Sequence, residues 1–263
     1  MSIENISDTK VERFAIAPRA VAFDLDDTLA ESFQPPSDEM MAKIRALLER
    51  VPVAIISGAK FERIKSEVLD RLADSPHMND LYVLADNGAQ GYVYSGNGWQ
   101  RAYTNEFTQD EQTHIEETVR EAVAKTDILG ANPKYTPELL KDPAELRYAA
   151  LGLDALENDK MNWDPDMSKR RKLQNILSTS LQGCEVSIGG KTTIDITRKG
   201  VNKASGIIWL SQRLGFPPSD MLYVGDALYE GGNDAVVIPT GIRTISVTGP
   251  SDTAKILDEL LSI

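Results

Sequence analysis

Apolar residues along this chain fall first into short unbroken runs and then into helical spacing, and the two patterns alternate. "VAF" at 21–23 reads as a short buried strand. It is followed by "SDEMMAKIRALLER", which sets Met41, Ile44, Leu47 and Leu48 on one helical face behind Ser37, a capping residue. "VAIIS" at 53–57 and "LYVLAD" at 81–86 are further strands, and between them "FERIKSEVLDRLA" repeats the helical pattern through Phe61, Ile64, Val68, Leu69 and Leu72. Strands alternating with amphipathic helices predict a parallel sheet covered on both faces.

The pattern then changes. "GYVYSGNGWQRAY" predicts two short strands around Asn97-Gly98, a hairpin turn pair, and Thr108 with Glu111 has capping-box spacing ahead of a helix through Ile115, Val119 and Val123. An irregular segment with Pro133, Pro137 and Pro143 leads to an apolar run at 148–153 and a basic helix near 167–180. "CEVSIGGKTTIDITRKG" then gives two strand-like segments around Gly189-Gly190. The alternation resumes with the helix "NKASGIIWLSQRLG", closed by Gly215, the strands "MLYVGD" at 221–226 and "IRTISVT" at 242–248, and the helix "SDTAKILDELL". The expected architecture is α/β. A parallel-sheet core of 1–104 and 199–263 is interrupted by an α+β insertion of 105–198.

Composition narrows the setting. With 263 residues, 41% hydrophobic and 26% charged, the chain has the profile of a globular protein. No run reaches the roughly 18 apolar residues of a membrane span, and "MSIENISDTKVERF" has no apolar leader. A single cysteine, Cys184, rules out an internal disulfide and fits a reducing compartment, so the cytoplasm is expected. The net charge of -12 disfavours nucleic acid and anionic membrane as partners. His77 and His114 have no neighbours at metal-ligand spacing, and the Lys169-Arg170-Arg171-Lys172 run is expected to be a solvated helix face. Trp99, Trp163 and Trp209 are assigned to packing, and the first dozen or so residues to a flexible arm.

The chemistry concentrates at strand ends, where ligands of open parallel sheets collect. One strand runs into Asp24-Leu25-Asp26-Asp27, another into Ser57-Gly58, a third into Gly225-Asp226. Adjacent negative charges at a strand end repel unless a cation sits among them. Asp24, Asp26 and Asp226 supply hard oxygen ligands of the kind Mg²⁺ prefers. On an extended segment Asp24 and Asp26 point the same way, so one carboxylate can attack phosphorus while the other exchanges a proton.

"DLDDT" fits the DxDx[TV] motif of the haloacid dehalogenase superfamily, "IISG" its second motif, Lys203 in "KGVNKASG" its third and "GDALYEGGND" its fourth. The chain thus resembles that superfamily throughout its length, and the insertion resembles the type IIB cap of its sugar-phosphate branch. "VLADNG", "GGKTTIDI", "ISVTGPSDT" and the Gly-Gly-containing fourth motif resemble the eukaryotic-type phosphomannomutases. The resemblance implies a Rossmann-like core with Asp24 as nucleophile, Asp26 as general acid/base, and Ser57, with its neighbour Gly58, and Lys203 holding phosphate. Mg²⁺ would be held by Asp24, Asp26 and Asp226, with Asn233 and Asp234 organising the loop at the metal. In the cap, Arg147, Thr193 and Asp195 match substrate-contacting positions. Asn158 stands where that family has a second arginine for a distal phosphate. The expected activity is a Mg²⁺-dependent phosphatase that hydrolyses a hexose phosphate through an aspartyl phosphate, because weaker distal-phosphate binding favours hydrolysis. The alternatives are a mutase using a bisphosphate activator and a sugar-phosphate-binding protein without turnover. The resemblance also raises a homodimer through the cap.

Overall fold

The computed structural model describes residues 16–263 except 97, 131 and 132, so the expected arm and the Asn97 half of the hairpin turn lie outside the described residues. β1 (Ala20–Phe23) is buried along its whole length. It alternates small and large residues: Ala20 and Ala22 face one apolar layer, Val21 and Phe23 the other. Helix α1 (Asp38–Leu48) begins where Ser37 accepts from the Met40 amide, and it buries Met41, Ile44, Leu47 and Leu48 as the spacing predicts. β2 (Val53–Ile56) pairs in parallel with β1. α2 (Phe61–Glu67) is shorter than the pattern predicts, because a 3-10 turn at Leu69–Arg71 takes over. With three residues per turn, that segment keeps Leu69 and Leu72 on one buried face.

β3 (Leu81–Ala85), β4 (Gln90–Ser95) and β5 (Gly98–Thr104) complete one side of the main sheet, the last two antiparallel. Trp99 packs there against Phe61 and Tyr94. The chain then builds a second layer. α3 (Gln109–Thr126) starts in the expected Thr108/Glu111 capping box. β6 (Glu138–Lys141) and β7 (Leu146–Ala149) pair antiparallel. β6 falls within the segment expected to be irregular. It is a half-buried edge strand whose only apolar residues, Leu139 and Leu140, are adjacent and show no alternation.

α4 (Glu157–Trp163) and α5 (Ser168–Ser180) cross to β8 (Cys184–Ile188) and β9 (Thr193–Arg198), giving a four-stranded sheet in the order β6-β7-β9-β8. The 169–172 run departs from the expected solvated face, since Arg170 is buried. Its guanidinium holds Asp164 at 2.9 Å and the carbonyls of Gly189 and Gly190 at 3.0 and 2.5 Å. α6 (Lys203–Leu214) ends on Gly215 in the left-handed conformation. β10 (Met221–Gly225), β11 (Arg243–Ser246) and α7 (Pro250–Leu261) close the main layer, whose seven strands run β11-β10-β1-β2-β3-β4-β5. The fold is a Rossmann-like core with a separate antiparallel α+β cap. Two apolar layers cover the faces of the main sheet, and a third cluster, from Phe107 to Ile196, is the core of the cap.

Candidate active site

The parallel register carries the ends of β1, β2 and β10 to one edge of the main sheet. A cavity of about 260 Å³ opens there beneath the cap. Asp24, Asp26, Ser57, Gly58, Asp226 and Asn233 line it from the core, and Arg147, Thr193 and Asp195 line it from the cap. Lys203 and Asp234 lie buried next to Asp24.

Lys203 owes its place to a helix start. Asn202 caps α6 by accepting from the amides of Ala204 and Ser205 at 3.0 and 3.2 Å, which fixes the first helical residue beneath the strand ends. Gly88, at φ +86°, lets the 86–88 turn press on this cap, since a Cβ there would stand 2.8 Å from the Asn202 carbonyl oxygen. The lysine Nζ donates to Asp24 Oδ1 and to Asp234 Oδ1, each at 2.7 Å.

Three carboxylates share that one lysine. Oxygen atoms of Asp24, Asp226 and Asp234 lie within 4.8 Å of one another. Burial pushes the Asp24 carboxyl well above its ordinary range, Lys203 draws it back, and the charges of Asp234 and Asp226 raise it further. Burial and Asp234 push Asp226 up to about 6. An all-oxygen site with surplus negative charge suits a hard divalent cation such as Mg²⁺. The three carboxylates differ in what they have left to offer. Asp234 is saturated by Lys203, by the Tyr223 hydroxyl at 2.5 Å and by the Ala227 amide at 3.0 Å. Asp24 Oδ2 and Asp226 Oδ2 accept no hydrogen bond from another described residue, so they are the oxygens open to a cation.

Asp26 stands apart from this group. Its two oxygens accept from the Arg63 guanidinium at 2.7 and 2.8 Å, and one also accepts from the Phe33 amide at 2.8 Å. Burial works to raise its pKa, but the Arg63 hydrogen bonds and charge outweigh that and hold the carboxyl below its ordinary range. The carboxylate of Asp26, expected among the metal ligands, is therefore committed to an arginine that the sequence did not single out. Ser57 accepts from the Ala59 amide at 3.0 Å, so the hydroxyl expected to hold phosphate also shapes the turn into α2.

On the cap side Arg147 is held tightly. Its Nε donates to Asp195 at 2.6 Å and its Nη2 to Glu145 at 2.8 Å, while the same Nη2 reaches across to the Gly58 carbonyl of the core at 2.6 Å. Nη1 has no partner among the described residues. Gly58 permits this approach, because a Cβ would stand 2.7 Å from the guanidinium. Asn87, in the left-handed conformation after β3, answers from the core by donating to Glu145 at 2.6 Å and Asp195 at 3.1 Å. Glu145 and Asn87 thus join the site although the sequence reading passed over both. Among the described residues, burial and the charges of Asp195 and Asp86 push Glu145 well above its ordinary range, with Arg147 opposing them.

Asp86, beside this network, is driven up to about 6 mainly by burial; Gln90 donates to its Oδ2 at 2.6 Å, and Oδ1 has no partner among the described residues. The sign of the linkage follows. A carboxyl whose pKa is higher in the folded than in the unfolded chain stabilises the fold below the unfolded value, and that contribution is lost as pH rises towards 6. In parallel urea titrations at pH 7 and pH 5, the wild-type protein is expected to gain about 1 kcal/mol at the lower pH relative to Asp86→Asn. Equal pH responses of the two proteins would show that Asp86 carries no such shift.

A carboxylate pair and a lysine fixed at the carboxyl edge of a parallel sheet, under a cap that shuts the site, are the equipment of phosphoryl transfer, and this chain is a phosphoryl-transfer enzyme. Residues 21–234 match the haloacid dehalogenase-like hydrolases, and the chain belongs to that family. It is similar to a phosphomannomutase of Spinacia oleracea, 24% identical over 260 residues that span 94% of this chain and 97% of the relative. The structure of IMP-bound Plasmodium falciparum IMP-nucleotidase superposes with a TM-score of 0.71 at 14% identity, covering 94% of this chain and 69% of that one. The Aspergillus fumigatus trehalose-6-phosphate phosphatase gives a TM-score of 0.55 at 15% identity over 94% of each chain. These structural likenesses are of fold.

Proposed function

We propose that the protein is a Mg²⁺-dependent phosphatase of a phosphorylated sugar. The observation that carries this reading is the Lys203-held Asp24 at the end of β1, with Asp26 lining the same cavity and two carboxylates behind. Asp24 is the nucleophile: an electron pair of its carboxylate attacks phosphorus, the ester P–O bond breaks and an aspartyl phosphate remains, until water attacks that phosphorus, breaks its bond to Asp24 and leaves as inorganic phosphate. Asp26 exchanges the proton with the leaving oxygen and then with the entering water, a contribution on the order of 10²–10⁴-fold that requires substrate binding to draw the carboxyl off the Arg63 guanidinium. Lys203, Ser57 and the strand-end amides face the charge that spreads over the phosphoryl oxygens. When bound, Mg²⁺ neutralises part of that charge; Asp24 and Asp226 would hold it, while Asp234 fixes Lys203 and Asn233 borders the site. Arg147, with Nη1 uncommitted, Thr193 and Asp195 meet the sugar side.

Hydrolysis is favoured over isomerisation by the position of Asn158. It stands where the mutases carry a second arginine, on α4 between Glu157 and Lys160, which line the cavity; Asn158 itself does not line it and accepts from Asn162. The mutase reading has one specific support, the end-to-end similarity to phosphomannomutases. A small phosphorylated sugar suits a chain of net charge -12 better than nucleic acid does, and the lone cysteine suits the cytoplasm.

The test is a timed assay with Mg²⁺ and a panel of hexose 1- and 6-phosphates, with and without glucose 1,6-bisphosphate, following free phosphate and isomer interconversion together. Phosphate release without activator is the expected result. Activator-dependent interconversion with little release would make the protein a mutase, and binding without either would leave a sugar-phosphate-binding protein.

A further inference from the structure

Arg63 is shared between two carboxylates. From α2 its terminal nitrogens grip both oxygens of Asp26, at 2.7 and 2.8 Å, while its Nε donates to Glu67 Oε1, one helical turn on, at 3.0 Å. The other oxygen of Glu67, Oε2, is shut from solvent and has no partner among the described residues. A buried acceptor without a donor is costly, and native interiors keep few of them. The donor nearest to hand is the guanidinium already seated on Oε1.

The Asp26 end of this contact is strained. Phe33, whose amide donates to Asp26 at 2.8 Å, has φ +60° although it carries a bulky side chain, a conformation that persists only where the surroundings impose it. The Arg63 guanidinium carbon stands 5.2 Å from the centre of its ring, and Nζ of Lys160 in the cap stands 5.1 Å from it. Core arginine and cap lysine thus fix the segment that completes the grip on Asp26. A carboxylate engaged at both oxygens by a cation is a poor proton carrier. A turn of the guanidinium onto Glu67, with Nε and one terminal nitrogen on the two oxygens, would satisfy Oε2 and leave Asp26 with the Phe33 amide alone.

We infer that Arg63 is a positioning residue with two seats: it holds Asp26 in the free enzyme and passes to Glu67 when a phosphate ester is bound, which frees Asp26 Oδ2 for the proton. The proton role rests on the phosphatase reading; the two seats rest on the geometry. A pair of substrates separates this role from a merely structural one. A sugar alkoxide leaves phosphorus only with a proton, whereas 4-nitrophenolate leaves as the anion. The ratio of kcat/KM for the fastest hexose phosphate of the panel to that for 4-nitrophenyl phosphate therefore reports proton delivery by Asp26. Glu67→Gln, which puts an NH₂ donor in place of one acceptor of the second seat, is expected to lower this ratio by about 10-fold. Adding Arg63→Met removes the cation then trapped on Asp26, and the double variant is expected to recover the ratio to within about 3-fold of the wild type. A ratio unchanged by Glu67→Gln, or a loss that Arg63→Met does not relieve, would overturn the inference.

Crystal structures of the wild-type protein with Mg²⁺, with and without orthovanadate as a phosphoryl-transfer analogue, give a readout independent of turnover. Arg63 is expected on Asp26 in the vanadate-free protein and forked on Glu67 in the complex. Arg63 on Asp26 in both would overturn the inference. A wild-type protein that hydrolyses neither ester would overturn the phosphatase reading instead, and the vanadate complex would still decide between the two seats.

Discussion

Asp24→Asn is expected to abolish phosphate release, by about 10³-fold or more, in a protein that is folded and no less stable than the wild type. The loss follows from the role: an amide is a poor nucleophile towards phosphorus, and no neighbouring carboxylate is placed to substitute. Asp26 is tied to Arg63, and Asp234 is saturated. The retained stability follows from the electrostatics. Asp24 is crowded by Asp226 and Asp234 with a single lysine to serve them, and burial already disfavours its charge. An asparagine keeps an oxygen for Lys203 and removes one of the repelling charges. A site that gives up stability for reactivity has this signature when it is disarmed. The check is phosphate release in steady state, paired with urea denaturation of both proteins. Release within 10-fold of the wild type would remove Asp24 from the role of nucleophile.

What the sequence could and could not announce divides along physical lines. The sheet was legible because burial on both faces demands unbroken apolar runs, and the helix limits because Ser37, Thr108 with Glu111, and Gly215 act locally. The convergence of Asp24, Ser57 and Asp226 followed from topology, since consecutive parallel strands present the same ends to one edge. The partners of those residues were not legible, because they come from tertiary contacts. Nothing in "FERIKSE" tells that Arg63 will grip a carboxylate 37 positions earlier, or in "DNG" that Asn87 will meet Glu145 of the cap 58 positions on. Arg170 did leave a trace. It lies three and seven residues before Leu173 and Leu177, on the helical stripe that those leucines bury, and this spacing distinguishes it from the other three members of the basic run.

The cap bears on the chemistry through the same contacts. Arg147 bridges Asp195 and Glu145 of its own layer to the Gly58 carbonyl of the phosphate-side turn, and Asn87 returns the contact from the core. Under the proposed function, the residue assigned to substrate contact, Arg147, is thus also the one that ties the cap to the core.

Lys203→Met is expected to be the most damaging single change to the fold, at about 3–5 kcal/mol, because it leaves buried carboxylates with no cation. Asp24 and Asp234 each lose a 2.7 Å charged hydrogen bond. Tyr223 and the Ala227 amide still serve Asp234, whereas Asp24 keeps nothing comparable. In the wild type the lysine is itself held charged: burial opposes its charge, but Asp234 and Asp24 more than compensate and raise its pKa. Two further measurements separate this mechanism from a simple packing defect. Adding Asp234→Asn to Lys203→Met removes one orphaned charge, and the double variant should recover part of the lost stability without recovering activity. Acidification should also narrow the gap between Lys203→Met and wild type. Without the lysine the Asp24 carboxyl, already raised by burial, climbs further above its unfolded value, so the folded variant binds more protons than the unfolded chain and gains stability as pH falls. A deficit that stayed constant from pH 7 to pH 5, with no recovery in the double variant, would show that Lys203 acts through its methylene packing and not through its charge.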